Sequence, residues 1–481
     1  MNRRTFLSRS LLSAASFGIG SSLSLRRARP LGFFAADGAA PLPTPYPVLA
    51  IFLGGGLDPA MHMVATPNGS VGNVSLANRF PDDSSFRTTS TNIRYASSII
   101  APAGKADFEP HLGDVALVRA LKGYGDHNGK ASLWFGDSIN ENTSYGRLPW
   151  ASQLTAQFRR RGLVVPRPCA VAYTYGSGSM PYLDLVKWGT ESPDPATVSD
   201  RILSFSGYFK SVASIDVPPA RQAPANALID ALDRSMPSAT QPTLTQRFSA
   251  ANITTNEVLR LVTGGPAWPP PPEVLGAFGI PDLSAVPDEA DYAQYEHQFV
   301  FAFQALSKGL THVVALATEE VGGTYWDSHK HHVDNQRARG NLFWPALGKL
   351  IAKMKATTSP IDTSKSLFDT TNIWIQSEMG RSPDGQTVVD KDTGEITKDG
   401  TDHWEHGSAV FMGGRFKRGI AIGGFTQDWT SMPINPVTGA ATDGITLRVN
   451  NSIATVMKAA GGDPSEFTKA APIDAVLDMS L

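Results

Sequence analysis

Apolar positions along this chain fall into short unbroken runs separated by longer amphipathic stretches, the rhythm of a mostly parallel sheet covered by helices. Val48 to Leu53, Val115 to Ala120, Ala170 to Tyr173, His312 to Thr318 and Asn372 to Gln376 read as five buried strands. An aromatic-bearing helix is expected from Asp291 to about Leu306, and another from about Asn341 to Met354. In the second, Phe343, Leu347, Leu350, Ile351 and Met354 share one face, which should pack on the sheet. Pro345 predicts that this helix starts late or kinks near its first turn. No internal repeat and no sustained heptad occurs, which argues against solenoid and coiled-coil architectures.

The rhythm breaks in two places. At the start, Arg3 and Arg4 precede Thr5-Phe6-Leu7 and a mildly apolar run from Leu11 to Leu25, the pattern of a twin-arginine export signal. That run is too short and too rich in Ser and Gly to span a bilayer comfortably. Arg26, Arg27 and Arg29 leave the cleavage point open. The expected partner is the twin-arginine export machinery and the expected location periplasmic or extracellular, with no stable membrane span in the mature form. The second break runs from Thr174 to about Glu289, a segment rich in Pro, Ser, Ala and Asp that contains Trp268-Pro269-Pro270-Pro271-Pro272. Only short helical stretches such as Ala225 to Leu232 stand out in it, so it reads as an insertion or cap. The expected organisation is a signal and linker over residues 1–40, a core in two parts over 41–173 and 290–481, and the cap over 174–289.

Composition narrows the function classes. With 481 residues, 41% hydrophobic and 18% charged, the chain can bury a sizeable core. A net charge of -2 removes any general argument for nucleic acid or a membrane surface as partner. Cys169 stands alone, so neither an internal disulfide nor a cysteine-based zinc site is available, and it reads as a core residue.

Polar residues that follow the apolar runs carry the candidate chemistry, because ligands of open parallel sheets sit at the carboxyl ends of the strands. Gly54-Gly55-Gly56-Leu57-Asp58 follows the first run, its glycines allowing a sharp turn and close backbone approach. Asp126-His127-Asn128 follows the second; Trp326-Asp327-Ser328-His329, with His331 and His332, follows the fourth. Glu378-Met379-Gly380-Arg381 follows the fifth, and Asp402-His403 and His406 come after a polar loop. Six of the ten histidines fall in these clusters, which points to a shared role rather than scatter. Carboxylate and imidazole together suit one or two ions of Zn2+, Mn2+ or a related divalent metal, with positions left for water and substrate.

Four motifs in this order resemble a family of twin-arginine-exported bacterial proteins within the alkaline-phosphatase/sulfatase superfamily. They are Phe52-Leu53-Gly54-Gly55-Gly56-Leu57-Asp58, Gly322-Gly323-Thr324-Tyr325-Trp326-Asp327-Ser328-His329, Ser377-Glu378-Met379-Gly380-Arg381 and Gly400-Thr401-Asp402-His403-Trp404. The resemblance implies an alkaline-phosphatase-like α/β fold, a central mostly parallel sheet flanked by helices with an inserted cap. It also implies one metal position built from Asp58, Asp402 and His403, and a second from Asp327 with His329 or His331 and His406. Glu378, directly ending a strand, is a further candidate ligand. Arg381 is a candidate fork for phosphate or sulfate oxygens, or the ion-pair partner of a carboxylate. The chain departs from the family at the nucleophile: Ser132 is the nearest hydroxyl after the second strand, and His127 is a candidate proton carrier. No Cys-x-Pro-x-Arg sequence occurs, which disfavours formylglycine-dependent sulfatase chemistry. The functional expectation is an exported metal-dependent hydrolase of small-molecule or polymer phosphate or sulfate esters. The alternative is a non-catalytic exported protein of the same fold that binds a surface polymer or a partner protein.

Overall fold

Val48–Leu53 (β1) is buried along its whole length, which only a strand covered on both faces can be. Its even and odd residues explain how. Val48, Ala50 and Phe52 join one apolar cluster, with Ile453, Val456 and Met457 of the helix Val449–Ala459 and with Leu154 and Phe158 of Trp150–Arg160. Leu49, Ile51 and Leu53 join another, with Phe299 and Phe303 of Tyr295–Ser307 and with Phe343, Leu347 and Leu350 of His332–Lys355. These helices are α4, α1, α2 and α3 respectively, and the fold is a helix–sheet–helix sandwich. The five apolar residues expected on one face of the second long helix are all buried in that cluster.

The computed structural model describes residues 44–174, 272–280 and 295–480, apart from short stretches inside those ranges. The candidate export signal, the stretch Ala225 to Leu232 and nearly all of the candidate cap lie outside the described residues; Pro272–Phe278, at the cap's distal end, is a short helix. Thr44–Leu481 forms one unit. Among the described residues no helix is long and apolar enough to cross a membrane.

The other strands of the sheet are Val115–Lys122 (β2), Arg167–Thr174 (β3), Thr311–Thr318 (β4), Asn372–Gln376 (β5), His406–Met412 (β6) and Ile420–Ile422 (β7). Their order is β7–β2–β6–β5–β1–β4–β3. Pairings β1 with β5, β1 with β4, β3 with β4 and β7 with β2 are parallel, whereas β6 runs antiparallel to both β5 and β2. The sheet is therefore mostly parallel, and the start of β6 lies at the edge where β1, β2, β4 and β5 end. Ala120 is the extra residue of a bulge in β2, at φ 62°, where the register to Gly407 and Ser408 slips.

One helix differs from expectation. α3 begins at His332, nine positions before the expected Asn341, and runs through Pro345. Its early turns bury His332, Gln336, Arg339 and Gly340 rather than apolar side chains, so the helical face exists but carries no hydrophobic signal.

Candidate metal centre

Four links meet at the carboxyl edge, those after β1, β2, β4 and β5. The link after β1 turns at Gly55 and Gly56, both at positive φ (110° and 97°). A Cβ on Gly55 would lie 2.5 Å from the Asp327 backbone nitrogen, and one on Gly56 2.7 Å from Arg381 Nε. These glycines thus admit other parts of the site, the link after β4 and a side chain from the loop after β5, as closely as backbone allows. Gly380–Arg381 pairs antiparallel with His403–Trp404, and Arg381 sits opposite His403. Cross-strand partners point to the same side of a ribbon, so both side chains reach the same acid, Asp327.

Asp327 is the centre of the arrangement. Its Oδ2 lies 2.9 Å from His127 Nε2, and its Oδ1 3.2 Å from His329 Nε2 and 3.5 Å from His403 Nε2. The two ring nitrogens of His329 and His403 are 2.9 Å apart. Both cannot carry a proton at that separation, so at least one lone pair is directed into the cluster. One ligand atom from each of His127, Asp327, His329 and His403 lies within 4.8 Å of every other. Donors about 2.0–2.2 Å from one tetrahedral ion stand roughly 3.3–3.6 Å from each other, so this donor set fits a zinc-like ion after shifts of a few tenths of an ångström to about an ångström.

Electrostatics favour the ionised acid. Burial by itself would raise the Asp327 carboxyl, but its contacts with the imidazoles of His127, His329 and His403 and the charge of Arg381 outweigh it and hold the group well below the usual carboxylate range. Arg381 is fully buried; its Nη2 donates to Asp327 Oδ1 and to the Gly55 carbonyl. A carboxylate oxygen has two lone-pair sites, so a guanidinium and an ion can share Oδ1. Arg381 Nε and Nη1 have no hydrogen-bond partner among the described residues.

The remaining candidates occupy other positions. Asp58 is fully buried, and its Oδ2 accepts from His332 Nε2 at 2.7 Å. Glu378 is buried beside the cluster: Oε1 accepts from the Gly55 amide at 2.8 Å and lies 3.6 Å from His127 Nδ1, while Oε2 accepts from Ser377 Oγ at 2.9 Å. Asp402 is exposed, its Oδ1 accepting from the His403 amide at 2.8 Å and lying 3.9 Å from His329 Nδ1. His331 is exposed in a left-handed conformation at the start of α3, leaving His329 as the ring that meets Asp327. His406 is buried; its Nδ1 accepts from the Ser431 amide at 3.1 Å, and burial pushes its pKa down. Ser132 is fully buried, with its hydroxyl donating to the Gly129 carbonyl at 2.6 Å.

Sequence reasoning placed His127 near the chemistry as a proton carrier, not as a fourth donor to Asp327. Gln336 escaped it altogether, although its spacing of four from His332 put the two on one helical face.

Residues 282–472 match the family described as "Protein of unknown function (DUF1501)", a stretch that includes Asp327, His329, Glu378, Arg381 and His403 but not His127. No curated protein matches the chain. A crystal structure of a protein in the alkaline phosphatase superfamily from Vibrio parahaemolyticus is similar at 11% identity over 91% of this chain and 70% of that one, with a TM-score of 0.35, too low to carry an argument about chemistry.

Proposed function

We propose that this chain is an exported metal-dependent hydrolase of phosphate or sulfate esters, in which His127, Asp327, His329 and His403 hold a divalent ion. One observation carries the reading: three imidazoles from three separate loops converge on a single carboxylate, and their ligand atoms lie within 4.8 Å of one another. A bound ion of this kind supplies Lewis acidity toward an ester oxygen and lowers the pKa of water. The protein's own residues do the rest. Arg381 keeps Asp327 ionised and fixes its orientation. His127 stands between Asp327 and Glu378, whose Oε1 lies 3.6 Å from His127 Nδ1 and orients the ring as a ligand. Export through the twin-arginine route suits a protein that must fold around its metal first, and rests on Arg3 and Arg4.

The committed, buried hydroxyl of Ser132 favours a second reading, a binding protein that keeps the metal without turning over esters. Elemental analysis of the purified chain, followed by aryl phosphate and aryl sulfate assays with the retained metal, separates them. Stoichiometric metal with ester turnover supports the hydrolase; stoichiometric metal without turnover supports the binding protein; a chain that holds no Zn2+ or Mn2+ at micromolar free ion refutes the metal centre.

A further inference from the structure

Behind the metal-binding cluster lies a second, wholly buried polar network that the proposed chemistry does not use. Its hub is one face of the first turns of α3, where His332 and Gln336 stand four residues apart. His332 Nε2 donates to Asp58 Oδ2 at 2.7 Å, and its Nδ1 lies 2.8 Å from Ser328 Oγ and 3.0 Å from Thr401 Oγ1. Thr401 Oγ1 also lies 3.2 Å from the Ser328 carbonyl. Gln336 Nε2 donates to the carbonyls of Gly56 and Trp326 and to Ser328 Oγ, at 2.9–3.1 Å. Gln336 Oε1 accepts from the Asp58 amide at 3.2 Å and contacts His62 Nε2 at 3.0 Å. Because the indole of Trp344 can only donate, its 3.0 Å bond to His62 Nδ1 assigns the proton to His62 Nε2 and fixes Gln336 with its oxygen toward His62.

The contacts fall on particular segments. Ser328 lies between Asp327 and His329, Thr401 lies two residues before His403, and Gly56 and Asp58 belong to the loop that also carries Gly55. Ser328 is the residue between the two donors, so the bonds that hold its side chain fix the backbone that carries Asp327 on one side and His329 on the other. Every segment of the cluster except the one bearing His127 is fastened to the same helical face.

We propose that His332, oriented by Asp58 and acting through Ser328 and Thr401, is the positioning residue that sets the separation of the Asp327–His329 and His403 donors, and thereby the affinity of the metal centre. The inference rests on the metal-hydrolase reading and assigns Asp58 to this network. Groups behind metal ligands commonly alter affinity by about 10–100-fold when removed.

The test measures Zn2+ affinity of the full chain by chelator competition, with the visible spectrum of the Co2+ form reporting coordination geometry. Variants are His332→Gln, Ser328→Ala, Thr401→Val and Thr401→Ser, beside Asp114→Asn at the far edge of the sheet as a stability control. Expected are about 10–100-fold weaker Zn2+ binding and an altered Co2+ spectrum in His332→Gln, smaller losses in Ser328→Ala and Thr401→Val, and parent behaviour in Thr401→Ser. Asp114→Asn should lower the melting temperature with affinity unchanged. Parent affinity and spectrum in both His332→Gln and Thr401→Val overturn the proposal while leaving the metal centre standing. So does an equal loss of affinity in Asp114→Asn, which would make the effect one of general stability. A parent chain that binds no Zn2+ or Co2+ removes the metal reading and this inference with it. Thr401→Val, which keeps the shape of the side chain and removes only the hydroxyl, keeps the question decidable if His332→Gln does not fold.

Discussion

Both edges of the sheet gather acids and histidines, but they close their charges differently. At the amino edge, Asp114 is met by Lys355 at 2.5 Å and Arg418 at 3.8 Å, with His111 Nδ1 at 3.6 Å; Arg418 also pairs with Asp369 at 2.5 Å. Lysine and arginine there take up the carboxylates. At the carboxyl edge, Arg381 meets Asp327, and three imidazoles are added beyond what charge balance requires. A surplus of nitrogen donors around an already compensated acid distinguishes a candidate metal centre from an ion pair; the presence of His and Asp does not.

The sharpest way to break this comparison is to delete donors at each edge. His329→Ala with His403→Ala should abolish metal retention by elemental analysis in a chain that still folds, whereas His111→Ala should leave metal content alone. Retained metal in the first variant would make the carboxyl edge as purely structural as the other.

Acid titration distinguishes the edges next. His62, buried beside Gln336, has its pKa lowered to about 4 chiefly by burial. Between the ordinary histidine value near 6.5 and about 4, the unfolded chain binds a proton there that the native chain does not, so stability falls as pH falls through that window. The full effect is on the order of 3 kcal/mol. At Asp114, burial opposes ionisation, but His111, Lys355 and Arg418 outweigh it and lower the pKa. Its contribution is present above the ordinary aspartate value and is lost only below it. Denaturant midpoints from pH 7 to 4 should therefore drop less in His62→Gln than in the parent, and Asp114→Asn should leave the slope of that window unchanged.

Smaller effects come from backbone and ion pairs. Gly55→Ala places a side chain at positive φ against Asp327, costing about 1–3 kcal/mol by thermal or chemical unfolding and weakening metal retention. Asp114→Asn should cost about 1–2 kcal/mol, because Lys355 and Arg418 are partly exposed and can turn to water.

The strands were the most legible part of this molecule. Val48–Leu53 and Asn372–Gln376 form where unbroken apolar runs predict them, since a strand buried on both faces must be apolar at every position. β6 was not legible: His406-Gly407-Ser408 opens it with polar and small residues, and its reversed direction depends on neighbours far along the chain. The early turns of α3 were hidden for a related reason, because His332, Gln336 and Arg339 are buried by hydrogen bonds and not by hydrophobicity. Of the site, the placement of Asp327, His329 and His403 after strand ends could be read from order alone, but not that His403 meets Asp327 rather than Asp58. The pairing of Asp58 with His332 could not, because a buried carboxylate and a ligand carboxylate look alike until their partners are known.

The position of β6 also has a kinetic consequence. It lies between β2 and β5 and joins β7–β2 to the sheet's other strands, although it arrives late in the sequence. Its contacts with β2 span most of the chain, and such long loops are slow to close. His127 follows β2 and His403 precedes β6, so the four donors come together only when this strand inserts. A nascent or partly folded chain would hold at most a fragment of the cluster, and metal uptake would mark the completion of folding.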